Sequence, residues 1–87
     1  MYTVRILKSA SRELARLDKS IALRMVDRIR WLAENLEEIK PKALTGELSG
    51  LYKLREGDYR IIYEIIHQEK VIIIHNIGHR REVYQKK

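Results

Sequence analysis

Apolar residues alternate with polar ones in some stretches of the chain and recur every three or four positions in others. The two rhythms predict different elements. Tyr2, Val4 and Ile6 alternate with Thr3, Arg5 and Leu7, which predicts a first strand over Tyr2–Lys8. Ala10, Leu14 and Leu17 follow at helical spacing, with Ser9 or Ser11 as the capping residue. Asp18 breaks this helix and caps the next. From Ser20 to Leu36 a stripe of Ala22, Met25, Val26, Ile29, Leu32, Ala33 and Leu36 runs along one side, with Arg24, Asp27, Arg28 and Glu34 on the other. Trp31 borders the stripe, where an aromatic ring either closes the core edge or stacks on a base. Glu37–Gly50, with Pro41, Gly46, Ser49 and Gly50, reads as one long irregular segment. Its Lys40 and Lys42 are either solvated or set against a phosphate backbone, and segments of this length in small domains are often functional.

Three more strands follow, Leu51–Arg55, Asp58–Ile66 and Val71–Ile77, the last two joined by His67–Lys70. Glu56-Gly57 is the expected tip of the first hairpin, because Gly supplies the positive φ of a tight turn. A two-residue loop there pairs Arg55 with Asp58, Leu54 with Tyr59 and Lys53 with Arg60. Directly opposed side chains share a face. Tyr52, Leu54, Tyr59, Ile61, Tyr63 and Ile65 then form the core face, and Lys53, Arg55, Asp58 and Arg60 the other. Pairing Ile66 with Val71 sets Arg60 opposite Ile77. Strand, helix, helix and three strands predict an α+β domain: an antiparallel sheet packed against an N-terminal helical hairpin. Eighty-seven residues suffice for one domain, 1–87, with one core.

Charge narrows the class of partner. Eighteen Lys and Arg against twelve Asp and Glu give a formal net charge of +6, which suits a polyanion, nucleic acid being the commonest, or an acidic protein. No cysteine occurs, which removes disulfides, thiol catalysis and thiolate metal sites. Neither an N-terminal apolar leader nor a long apolar run is present, so the expected location is cytoplasmic, with no membrane partner.

Lys53 and Arg60, opposed on neighbouring strands, repel one another, and an anion docked between them explains why such a pair is kept. The last strand ends at Gly78, and His79, Arg80 and Arg81 follow, with Tyr84 about a helical turn beyond Arg80. Lys53, Arg60, Arg80 and Tyr84 thus converge if both hairpin registers and a turn at Gly78 hold. Arginine grips phosphate through two parallel hydrogen bonds, and a cluster of such cations stabilises the charge that grows during phosphoryl displacement. The neighbouring acids Glu56, Asp58, Glu64 and Glu82 match no metal-ligand spacing, so no metal or other cofactor is expected. Metal-free cleavage of a phosphodiester takes its nucleophile from the substrate, and the RNA 2′-hydroxyl is one that DNA lacks. Transesterification of RNA to a 2′,3′-cyclic phosphate and a 5′-hydroxyl is the chemistry these residues suit. The plainer alternatives are that Arg80 and Arg81 form a solvated charge pair and that Tyr84 tucks against the core edge. His75, on an apolar strand, reads as a hydrogen-bonded structural residue, and His67 as part of a turn.

Leu51-Tyr-Lys-Leu-Arg-Glu-Gly-Asp-Tyr-Arg-Ile-Ile-Tyr63, the apolar strand after it, and Gly78-His-Arg-Arg-Glu-Val-Tyr84 together resemble the RelE branch of the RelE/ParE toxin superfamily. The resemblance extends over the whole chain in element order. It implies the toxin of a type II toxin–antitoxin pair, which enters the ribosomal A site, cleaves messenger RNA there and is held by a RelB-like antitoxin. Contact with DNA is then expected only through the antitoxin complex. By this resemblance Arg60 contacts the scissile phosphate, and Arg80 stabilises the transition state or protonates the leaving oxygen. Tyr84 orients a base, and Lys53 is the general base. Arg55, His79 and Arg81, cations or titratable groups beside this set, are expected to contact RNA. Some relatives carry two lysines on the strand that here holds Leu51 and Lys53. A lone lysine is mostly protonated at neutral pH, so His79 stays open as the alternative base. The chain stops three residues after Tyr84, and no long C-terminal helix is expected. Two other functions remain beside this one: a ParE-like inhibitor of DNA gyrase that acts by binding, and a non-catalytic RNA-binding module.

Overall fold

The computed structural model describes residues 1–79. In chain order they form β1 (Thr3–Ile6), α1 (Lys8–Ala15), α2 (Lys19–Asn35), β2 (Lys42–Ala43), β3 (Tyr52–Glu56), β4 (Tyr59–Ile66) and β5 (Val71–His79). Single 3₁₀ turns at Leu36–Glu38 and Gly46–Leu48 flank β2. The α+β class is as expected, but the sheet is mixed. Its order is β1-β5-β4-β3-β2, with β1 running parallel to β5 and every other pairing antiparallel. Part of the segment read as irregular, Lys42–Ala43, is a short edge strand against β3.

Both helices lie on one sheet face. Met25, Ile29, Leu32, Ala33 and Leu36 of the predicted stripe are buried with Leu54, Ile61, Tyr63, Ile72, Ile74 and Ile77 in a single core. Neither helix is capped as expected. α1 begins at Lys8 after an extended Leu7, and Asp18 precedes α2 without a side-chain cap. Ser9 instead donates its hydroxyl to the His75 carbonyl at 3.0 Å, and Glu13 accepts the Ile77 N–H at 2.8 Å. These bonds follow from the topology. β1 pairs with β5 only as far as Ile74, so the remaining edge of β5 carries backbone groups that a buried position cannot leave unpaired. Polar residues of α1 supply their partners.

The first hairpin differs from its predicted register by two residues. Its turn is Gly57-Asp58, with Glu56 opposite Tyr59, Arg55 opposite Arg60, Leu54 opposite Ile61 and Lys53 opposite Ile62. The reason lies in the backbone. Tight hairpin turns need positive φ at the first central residue. Glu56 would bear that strain, whereas Gly57 adopts φ +61° without it. A shift of two preserves the alternation of faces, so the predicted core face is correct although its pairs are not.

The second hairpin pairs Ile66 with Val71 as predicted, then departs. Tyr63 faces Ile74 and Ile62 faces Asn76, leaving His75 as the extra residue of a bulge. Ile72, Ile74 and Ile77 are all buried in the core. A regular strand would turn Ile74 and Ile77 to opposite faces, and the bulge brings both inward. It also moves Arg60 from its predicted place opposite Ile77 to one opposite Gly78.

Candidate functional site

The face of the sheet away from the helices carries like charges directly opposed. Lys42 stands across from Lys53, and Arg55 across from Arg60. Lys53 and Arg60 are therefore not cross-strand partners, and the repulsion expected between them falls on these two pairs. Arg60 is 9% exposed, donates Nη1 to the Tyr59 carbonyl at 3.2 Å, and faces Gly78, which has no side chain to contest that side of the sheet. Arg55 is exposed and donates Nε to the Gly57 carbonyl across the turn.

Arg55→Gln removes one charge of the opposed pair. Its expected effect at low salt is unchanged or slightly higher stability, by up to about 1 kcal/mol, and the gain shrinks as chloride screens the repulsion. Thermal melts at two chloride concentrations measure it. A clear loss at low salt would mean that the bond to Gly57 outweighs the repulsion.

Three consecutive β3 residues, Lys53, Leu54 and Arg55, line a pocket of about 320 Å³. Leu54 belongs to the core face and Lys53 and Arg55 to the other, so the lining draws on both faces of the strand. Arg28 and Trp31 of α2, Ile39, Lys40, Pro41 and Lys42 of the following segment, and Arg60 and Tyr63 of β4 complete the lining. Six of these described residues are cations and none is an acid. The Arg28 guanidinium lies over the Trp31 ring, its Cζ 4.2 Å from the centroid. Glu56, outside the lining, is bound by Arg24 at 3.2 Å and lies 3.6 Å from the Arg28 Nε.

At the inner side of the pocket, Tyr63 is fully buried and stacks on Tyr52 with centroids 5.7 Å apart. Burial, and secondarily the neighbouring Tyr52, raise its pKa to about 12. An unfolded tyrosine ionises near pH 10, so the folded state holds a proton that the unfolded state loses between these values. The stability from keeping this phenol neutral is complete below pH 10 and is lost as pH rises through 12, at about 1.4 kcal/mol for each pH unit between the two. Alkaline unfolding should therefore set in later for Tyr63→Phe, and equal pH dependence of the two proteins between pH 10 and 12 would refute it.

Of the residues singled out in the sequence, the structure brings Lys53, Arg55 and Arg60 to one pocket. Arg80, Arg81 and Tyr84 lie outside the described residues. His79 ends β5 opposite Tyr59, the two rings edge-on at 5.7 Å. His75 lies 2.9 Å from a Glu64 carboxylate oxygen, and His67, in its turn, is 3.3 Å from the Tyr2 hydroxyl. Arg28 is an addition that helical periodicity, which set it on the solvated side of α2, had no means of revealing. Among the described residues no group of three or more His, Asp or Glu is placed to hold a metal ion.

A family model described as the ParE toxin of type II toxin–antitoxin systems matches residues 4–84. The chain is 32% identical over 86 residues to the toxin RelG of Mycobacterium tuberculosis, covering 98% of each protein. It is similar to the toxin–antitoxin complex RelBE2 of the same organism, with a TM-score of 0.82 and 31% identity over 91% of this chain and 98% of that one. The isolated RelE toxin of E. coli shares the fold, with a TM-score of 0.75 at 23% identity, over 97% of this chain and 92% of that one.

Proposed function

Because the chain belongs to the RelE/ParE superfamily of toxins from type II toxin–antitoxin systems, we propose that it is a ribosome-dependent endoribonuclease that cleaves messenger RNA in the A site. The observation that carries this reading is the pocket: six cations and no acid among its described lining residues, with Lys53, Arg55 and Arg60 beside one another. Such a site attracts a polyanion and holds phosphate by charge-assisted hydrogen bonds.

In the proposed reaction the 2′-oxygen attacks phosphorus and the bond from phosphorus to the 5′-oxygen breaks. The products are a 2′,3′-cyclic phosphate and a free 5′-hydroxyl. Lys53 or His79 takes the 2′ proton. Arg60 holds the phosphate, Arg80 stabilises its growing charge or protonates the leaving oxygen, and Tyr84 orients a base. Arg55 and Arg81 contact the RNA backbone, as does His79 where it is not the base. So few acid–base groups make orientation the larger share of catalysis, and the ribosome supplies part of it. A cognate RelB-like antitoxin keeps the toxin inactive, and the cytoplasm is where the ribosome and both proteins meet. Among the described residues no helix is long and apolar enough to cross a membrane.

Primer-extension mapping in cells expressing the chain tests this reading. New 5′ ends inside translated codons are expected. An SOS response without cleavage would instead identify a gyrase inhibitor, an outcome that the ParE name of the matching family model keeps in the test. Neither signal would leave an RNA-binding module.

A further inference from the structure

β5 outruns its neighbour on one side. β1 pairs with it only from Val71 to Ile74, while the strand continues to His79 with β4 alone in the ladder. That last stretch flanks the proposed site. Gly78 stands opposite Arg60, and His79 opposite Tyr59, the two rings edge-on at 5.7 Å. A strand end laddered on one side, just past a bulge, opens locally unless something else holds it.

Helix α1 takes the place of the missing strand. Ala10 is fully buried and Leu14 packs against the core, so the helix is a fixed base. From it Ser9 donates to the His75 carbonyl at 3.0 Å, and Glu13 accepts the Ile77 N–H at 2.8 Å. The spacings match. Four residues of helix rise about 6 Å and two residues of strand advance about 6.6 Å, so consecutive turns of α1 meet successive outward groups of β5. Glu13 is half-buried, which disfavours a carboxylate unless a hydrogen bond compensates. Its bond to a backbone N–H is of the stronger, charge-assisted kind.

We propose that Glu13, assisted by Ser9, is a positioning residue: by fixing the end of β5 it sets Gly78 against Arg60 and His79 against Tyr59. Its catalytic consequence rests on the nuclease reading, which gives neither Glu13 nor Ser9 a part. His79 is one of the two bases in that reading, and Arg80 is the next residue in sequence. Where orientation carries catalysis, a displacement of about 1 Å can cost about 10²-fold in rate. Lys53 and Arg60, which hold phosphate, stand on β3 and β4 and keep their places without the clamp. Losing it therefore lowers kcat and leaves KM nearly unchanged.

The experiment has two arms: ribosome-dependent cleavage of a defined message by the full chain, giving kcat and KM, and proton NMR of its histidine rings. Glu13→Ala is expected to lower kcat about tenfold or more, with KM within about threefold of wild type. Its far-ultraviolet dichroism at the temperature of the cleavage measurement should match the wild type. The His79 ring signals, which the Tyr59 ring influences, should shift, while those of His67 in its distant turn stay. Glu13→Gln keeps an oxygen acceptor and should restore kcat to within about threefold. If Glu13→Ala does not fold, Ser9→Ala, which removes an exposed bond, carries the same test with a smaller fall in kcat. Wild-type kcat in whichever of these two variants folds, or no restoration by glutamine, overturns the assignment. So does a rise in KM at unchanged kcat, which would make Glu13 a binding group. Unmoved His79 signals overturn the clamp whether or not the chain is a nuclease. Moved signals in a chain that cuts no message keep the clamp and remove the nuclease reading.

Discussion

Cells expressing Arg80→Ala protein are expected to keep growing, while the purified protein retains the far-ultraviolet dichroism and melting temperature of the wild type. The expectation follows from the proposed division of labour. Arg60 lies within the pocket lining, and its proposed role is to hold phosphate in the ground state as well as the transition state. A second guanidinium is needed where charge develops as the bond to the 5′-oxygen breaks. Deleting one such transition-state contact commonly costs about 10²–10³ in rate. A toxin slowed that far no longer outpaces message synthesis, so growth arrest disappears. Arg80 follows the last strand in sequence, and arginine is almost never a fully buried core residue, which is why stability should not change. Ribosome-dependent cleavage of a defined message gives the rate directly. A folded Arg80→Ala protein that still arrests growth, with cleavage within about tenfold of wild type, would remove the assignment.

Ile74→Ala should do the opposite, destroying stability without touching a charged group. Ile74 is fully buried in β5, opposite Ile6 of β1 on one side and Tyr63 of β4 on the other. The residue also precedes the bulge at His75, so its packing helps to hold the offset that puts Gly78 across from Arg60. Truncating a buried Ile to Ala costs about 2–5 kcal/mol, because contacts are lost and the cavity only partly collapses. Domains of this size have about 5–15 kcal/mol in total, and each kcal/mol moves the melting temperature by about 4–8 °C. A fall of roughly 8–40 °C is therefore expected. A change below about 1 kcal/mol would mean that the centre of the sheet is loosely packed there, contrary to its full burial.

The two variants separate what can be read from sequence from what cannot. Burial of Met25, Ile29, Leu54, Ile61 and Tyr63 was legible because alternation along a strand and a 3.6-residue stripe along a helix are properties of short windows. The wrong hairpin register did not disturb the face assignments, since a slip of two residues leaves every side chain on its side. The like charges on the basic face were legible for the same reason. Their partners were not, and Lys53–Arg60 gives way to Lys42–Lys53 and Arg55–Arg60.

Composition and local periodicity determined the fold class, the core-facing positions, the basic face and the absence of thiol chemistry. Tertiary structure alone decided the turn at Gly57-Asp58, the bulge at His75, the parallel pairing of β1 with β5 and the convergence of Arg28, Trp31 and Lys42 on β3. Local rules act through each residue's own φ, ψ and side-chain direction, which neighbours in sequence largely set. Register and pocket are instead settled by competition between distant segments: the strain Glu56 would bear against the freedom of Gly57, and the burial of Ile77 against a regular ladder. The free energies that choose among those outcomes exist only once the strands and helices are packed against one another.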